Sequence, residues 1–175
     1  MSARKLLPWV ALTLATAVAV HVATLFALPH AIMHVALARM GDVDTIHHGR
    51  RVDEKSRAVV RPSPDLLYST CPYDLSRGPL HVHAVVPPGT YWSVSAFDAL
   101  TNNYFVRNDR QVNGVVDLVF VQQGASVPAA VAAKAVVSPT QHGLILFRTL
   151  VPDDAHAASL DAARRRATCA TLAGG

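Results

Sequence analysis

One arginine and three aspartates are the residues best placed to do chemistry. In Gly143–Val151, two-residue alternation puts Arg148 on the face of Leu144, Leu146 and Leu150. A guanidinium on an apolar face needs a partner, because an unpaired buried charge is costly. Asp65, Asp74 and Asp98 are the candidates, each at a turn bordering an expected strand. Two readings follow. The pair can be an ion pair that fixes loops. Alternatively, Arg148 can grip a substrate carboxylate or phosphate through both prongs of its fork, with Asp98 or Asp65 as general base. Tyr68, Asn102 and Asn103 complete this candidate cluster. The asparagines, with Asn108, equally suit turns, since Asn tolerates left-handed backbone and bonds its own chain. Tyr68 and Tyr91 can line a groove or pack inside.

Other constellations are thinner. His81 and His83 are two apart in an expected strand, hence on one face. A metal would need a third ligand such as His142 or an Asp, so the pair is a lesser metal candidate beside a plain polar face. Ser69 and Ser93 lack the G-x-S-x-G frame of a serine hydrolase. The two cysteines, Cys71 and Cys169, are too few and too far apart for a four-ligand zinc site. In an exported protein an even count can close one disulfide, tying the C-terminal segment to a strand near the domain's start. The alternative is a pair of buried thiols. No cofactor is implied.

These residues must be positioned by one modest domain. At 175 residues there is room for one core plus extra segments. Hydrophobic residues make up 51%, and much of the excess sits before Arg39. From Leu6 to Ala38 there is no Asp, Glu, Lys or Arg. The strongest part, Leu6–Leu28, is long enough as a helix to cross a hydrocarbon core of about 30 Å. Pro8 falls in its first turn, Trp9 suits the interface, and Pro29 with His30 marks the far end. A cleaved signal peptide is the competing reading, with Arg4 and Lys5 as its positive start. The apolar run exceeds the usual h-region of about 7–15 residues, which favours a retained anchor. Charges flank it on both sides, Arg4 and Lys5 against Arg39, Arg50 and Arg51, so charge alone leaves the orientation open. A net charge of +4 suits a negative membrane surface, but no dense Lys/Arg run is present to grip nucleic acid.

The expected organisation is a cytoplasmic N-terminus over residues 1–5, a transmembrane anchor over 6–28, a stalk or linker over 29–56 and a folded domain over 57–175. Within the domain, strand and turn signals recur about every 10 residues, which favours a sandwich or barrel. Strands are expected at Leu66–Ser69, Leu80–Val86, Thr90–Phe97, Tyr104–Val106, Gly114–Gln122, Ala135–Val137 and Gly143–Val151. Trp92, Val94 and Ala96 share one face of theirs. Asp153 or Asp154 caps a helix running through Arg166, with Ala157, Leu160, Ala163 and Ala167 as its apolar stripe.

At Arg61–Ser69, RPSPDLLYS, the chain resembles the opening motif of the DUF1254 family, a Pro-Asp-x-x-Tyr-Ser core. Matching segments follow in order: Tyr73-Asp74-Leu75 with Gly78-Pro79, Gly89-Thr90-Tyr91-Trp92-Ser93, Phe97-Asp98, Thr101-Asn102-Asn103, and Leu146-Phe147-Arg148. The usual Asn before the Pro-Asp pair is Ser63 here and the usual Thr after it is Leu66. The resemblance covers about residues 58–152, and is to short, membrane-anchored members that lack the DUF1214 domain. It implies a mainly β, immunoglobulin-like β-sandwich, here with an N-terminal transmembrane helix and a short C-terminal helix. It implies no activity. The leading expectation is an inner-membrane, single-pass protein. It would touch the bilayer through Leu6–Leu28, hold its C-terminal domain in the periplasm and bind a partner such as a DUF1214-type protein. The alternative is an enzyme, or enzyme half, acting on a small anionic substrate through Arg148 and an Asp.

Overall fold

The computed structural model describes residues 3–53, 62–127 and 129–172. The expected domain start at Arg57, the motif's Arg61 and the extreme N-terminus lie outside these residues. Helix α1 runs from Ala3 to Arg39, about 55 Å of continuous helix. Pro29 does not end it. Ala, Met and Leu on either side are strong helix formers, and the last turns have a surface to pack on. Met33 and Ala36 are buried, with Pro29, Leu37 and Met40 partly so. This stripe at i, i+4, i+7, i+8 and i+11 marks the docked face. Up to Leu28 the helix is exposed all round. It is long and apolar enough to cross a membrane.

Among the described residues nine strands make two sheets. They are β1 (His47–His48), β2 (Leu66–Asp74), β3 (Leu80–Val85), β4 (Trp92–Asp98), β5 (Asn103–Asn108), β6 (Val115–Gln122), β7 (Ala135–Ser138), β8 (His142–Leu150) and β9 (Thr168–Thr171). One sheet has the order β1-β2-β8-β4-β5 and is antiparallel throughout. The other has the order β7-β6-β3-β9, with β7 parallel to β6. Helix α2 (Asp154–Arg164) precedes β9, and Asp153 caps it by accepting the His156 amide at 3.0 Å.

Both sheets supply the main core. Tyr73, Trp92, Val94, Ile145 and Phe147 come from the five-stranded sheet, and Leu80, Val82, Val116 and Phe120 from the four-stranded one. Cys71 on β2 and Cys169 on β9 lie at disulfide distance, with Cα atoms 6.5 Å apart, inside the range such a bridge spans. The pair joins the two sheets across the core. β9 lies outside the expected strands and pairs with β3 in the register Val82↔Cys169. The stretch expected as linker is also partly folded. Asp44 donates its amide to the Pro72 carbonyl at 2.7 Å, and His47–His48 pair with Thr70 and Ser69. The folded part therefore takes in residues well before Arg57.

Candidate binding site

Alternation fixes which side chains share a surface. Because Trp92, Val94, Ala96, Ile145 and Phe147 point into the core, Ser93, Ser95 and Arg148 must point to the sheet's other, outer face. The same holds for Tyr68, between Leu67 and Ser69. The sequence correctly groups Arg148 with Leu144, Leu146 and Leu150, but that face is the outer one. The core side of β8 carries Ile145 and Phe147.

The strand register then lines up a row. Arg148 lies directly opposite Tyr68 on β2 and opposite Ser93 on β4, and Ser93 lies opposite Asn108 on β5. Opposed residues share a face with Cβ atoms about 4.5–5.5 Å apart. The row thus reads phenol, guanidinium, hydroxyl, carboxamide, every member able to donate a hydrogen bond. Few of these donors are used. Arg148 reaches Ser95 Oγ with one long contact, 3.4 Å, and makes no ion pair among the described residues. The Tyr68 hydroxyl accepts from the Ser63 amide at 2.9 Å. The Ser93 hydroxyl, on a residue 1% exposed, has no hydrogen-bond partner among the described residues. Leu150 and Leu66 lie on one side of the row, Leu146 and Val106 on the other.

The aspartates do not join Arg148. Asp98 lies five positions past Ser93 on β4, about 17 Å along the strand. It is buried and closes the β4–β5 hairpin, accepting the amides of Leu100 (2.9 Å) and Asn102 (2.8 Å) and the Asn102 carboxamide (2.9 Å). That loop holds Thr101 at φ 68°. Asn103 is exposed at the start of β5. Asp65 is exposed, and its carbonyl accepts the Val151 amide at 2.8 Å. Asp74 caps the turn after β2 by accepting the Ser76 amide at 3.0 Å. Burial pushes the Asp74 carboxyl up, but bonds from Ser76 outweigh it and hold it below the usual range. Of the six cluster residues, the fold brings Tyr68 to Arg148 and Asn102 to Asp98, and keeps the two pairs apart.

The histidine pair faces the other way. On the outside of the four-stranded sheet His81 bonds Asp117, which also receives Lys134. The Lys134 bond, then that of His81, holds the Asp117 carboxyl below its ordinary value. Among the described residues no three His, Cys, Asp or Glu side chains gather to hold a metal.

The arginine that sequence reasoning missed is Arg164. Its side chain is buried, and all its prongs are engaged. Nε donates to Asp161 at 2.7 Å, Nη1 to the Tyr68 carbonyl at 2.7 Å and to Ser69 Oγ at 3.3 Å, and Nη2 to the Gly49 carbonyl at 2.7 Å. It staples α2 to β1 and β2. His48 bonds the same Ser69 hydroxyl at 2.8 Å. Burial, and then the Arg164 charge, lowers the His48 pKa.

An open cavity of about 650 Å³ lies where the β3–β4 and β5–β6 loops meet, lined by Pro87, Pro88, Tyr91, Asp109, Arg110 and Val112. Tyr91 is exposed there, not packed. Asp109 and Tyr91 stand one and two residues beyond Asn108 and Ser93, so the cavity opens beside the row's β4–β5 end.

Comparison with known proteins bears on fold and family. The crystal structure of the VPA0106 protein from Vibrio parahaemolyticus superposes with a TM-score of 0.60 at 17% identity, covering 79% of this chain and 33% of that one. A structure from Burkholderia cenocepacia gives 0.48 at 16% identity, covering 74% and 34%. The chain thus spans about a third of the length of these solved proteins. The first likeness shows a shared fold. No curated protein matches the chain. The family described as "Protein of unknown function (DUF1254)" matches residues 43–171. Its limits coincide with the folded part, from Asp44 on Pro72 to the end of β9, and the chain belongs to the DUF1254 family.

Proposed function

We propose that this protein is a membrane-anchored binding module. Its α1 spans the inner membrane through Leu6–Leu28, and its immunoglobulin-like sandwich stands in the periplasm to bind a partner. The observation that carries the reading is the division of α1. Its apolar residues up to Leu28 are exposed all round, about 35 Å of helix, while the turns after Pro29 dock on the folded part. A water-exposed helix of this composition would lose the hydrophobic stabilisation that burial in lipid supplies. The cysteine pair across the core suits an oxidising compartment. A DUF1214-type protein is the partner that the family resemblance favours.

The binding reading is preferred to the enzymatic one because, among the described residues, no carboxylate pairs with Arg148 to act as base, and Asp98 is consumed by its hairpin. Alkaline carbonate extraction of membranes, combined with protease protection in spheroplasts, tests the anchor and its orientation. The chain is expected in the pellet and to be cleaved from outside. Recovery in the soluble fraction would defeat the reading. Crosslinking in intact cells before solubilisation then identifies the partner.

A further inference from the structure

We infer that the row Tyr68–Arg148–Ser93–Asn108 binds the carboxylate of a small acid with an apolar body. The inference goes beyond the proposed protein partner and adds a small-molecule ligand, so its failure leaves that reading standing. It starts from the Ser93 hydroxyl. A buried hydroxyl with no partner is destabilising relative to a bonded one, so a chain that keeps it invites a partner from outside itself. Alanine would remove the unpaired group and fit the same space.

Three further facts define that partner. The row supplies donors from four adjacent strands, and among the described residues the Ser93 hydroxyl has no acceptor and Arg148 has one long contact. The ligand must therefore accept hydrogen bonds. The row holds one cation, Arg148, whose flat fork matches a carboxylate with two parallel bonds. A single positive charge balances a monoanion, which favours a carboxylate over a phosphate dianion. Finally, Leu150 and Leu146 flank Arg148 along β8, both half-buried on the same outer face. An apolar body attached to the acid would lie over them and withdraw their surface from water. The 3.4 Å contact to Ser95 is long enough for the guanidinium to leave it on binding.

The test uses the full chain in detergent, so it reads out whether or not the anchor reading holds. Butyrate, inorganic phosphate and chloride are titrated at matched ionic strength while the Arg148 Nε–H and Ser93 amide resonances are followed. Butyrate is expected to shift both saturably, more tightly than phosphate, with chloride inert. Arg148→Gln should weaken butyrate at least tenfold. Ser93→Ala should weaken it roughly fivefold, the worth of one hydrogen bond, while the ligand-free protein melts no lower than the parent. Equal response to chloride, tighter binding of phosphate, or butyrate binding that survives Arg148→Gln would each overturn the inference. So would a lower melting point of ligand-free Ser93→Ala, because the hydroxyl would then be structural.

Discussion

Arg164 and Arg148 hold the same functional group in opposite states. Arg164 is buried at the seam where α2 meets β1 and β2, and its guanidinium bonds a carboxylate, two backbone carbonyls and a hydroxyl. Arg148 is half-buried on the outer face of the same sheet; among the described residues it has one long bond to a serine and an unpartnered hydroxyl opposite. A charge taken out of water survives only when its donors are saturated, so the saturated arginine reads as architecture. An unsaturated one, kept at the edge of solvent beside other idle donors, reads as a place where something arrives. Saturation of hydrogen bonds, more than burial alone, separates the two.

The sharpest way to break this comparison is to truncate both side chains. Arg164→Ala leaves the Gly49 and Tyr68 carbonyls and Asp161 without their shared donor, and is expected to lose about 3–5 kcal/mol. Arg148→Ala should lose less than about 1 kcal/mol, as for surface positions. Denaturant unfolding of both variants checks this; equal losses would erase the distinction. Next in size is the cysteine pair. Cys71→Ser with Cys169→Ser should lose about 2–4 kcal/mol, the usual worth of a bridge. That loss isolates how firmly the C-terminal segment is held by the bridge rather than by the Arg164 staple. A triple variant losing no more than Arg164→Ala alone would show the bridge to be idle.

The smallest effect is in pH. His48 bonds the hydroxyl that Arg164 shares, and its pKa in the fold is lowered below the ordinary 6.5. Folding therefore favours its neutral form. That contribution is fully present above pH 6.5 and is lost as pH falls through the lower folded value. His48→Gln should flatten the melting profile below pH 6.5 by no more than about 4 °C. Carboxylates held low, Asp117, Asp74 and Asp161, act further down. Their contribution is present above about 3.8 and fades as pH drops through their depressed values.

Much of this arrangement was legible in the residues. Alternation at Trp92–Ala96 and in Val115–Gln122 reports strands with one face in the core, and the even pair of cysteines points to each other. What escaped detection depends on distant pairing. β9 is four residues of Thr, Cys and Ala that become a strand only because β3 offers an edge. His47–His48 is polar, and its strand is made by Thr70 and Ser69. Asp98 looked free to act because its turn bonds to Leu100 and Asn102 are side chain to backbone, which periodicity does not reveal. Arg164 did leave a signal. It stands four residues after Leu160 and seven after Ala157, on the helix's buried stripe and not beyond its end.

The cysteine pair encloses a sequence separation of 98 residues, from β2 to β9. Once the pair is bridged, every loop between those strands, including the hairpin tip at Thr101 and the rim at Arg110, lies inside one covalent ring. A single peptide-bond cut at any of them leaves a two-chain molecule of unchanged mass, apart from one added water, that runs apart only after reductant. Damage to an exposed loop thus opens the ring without shedding a fragment.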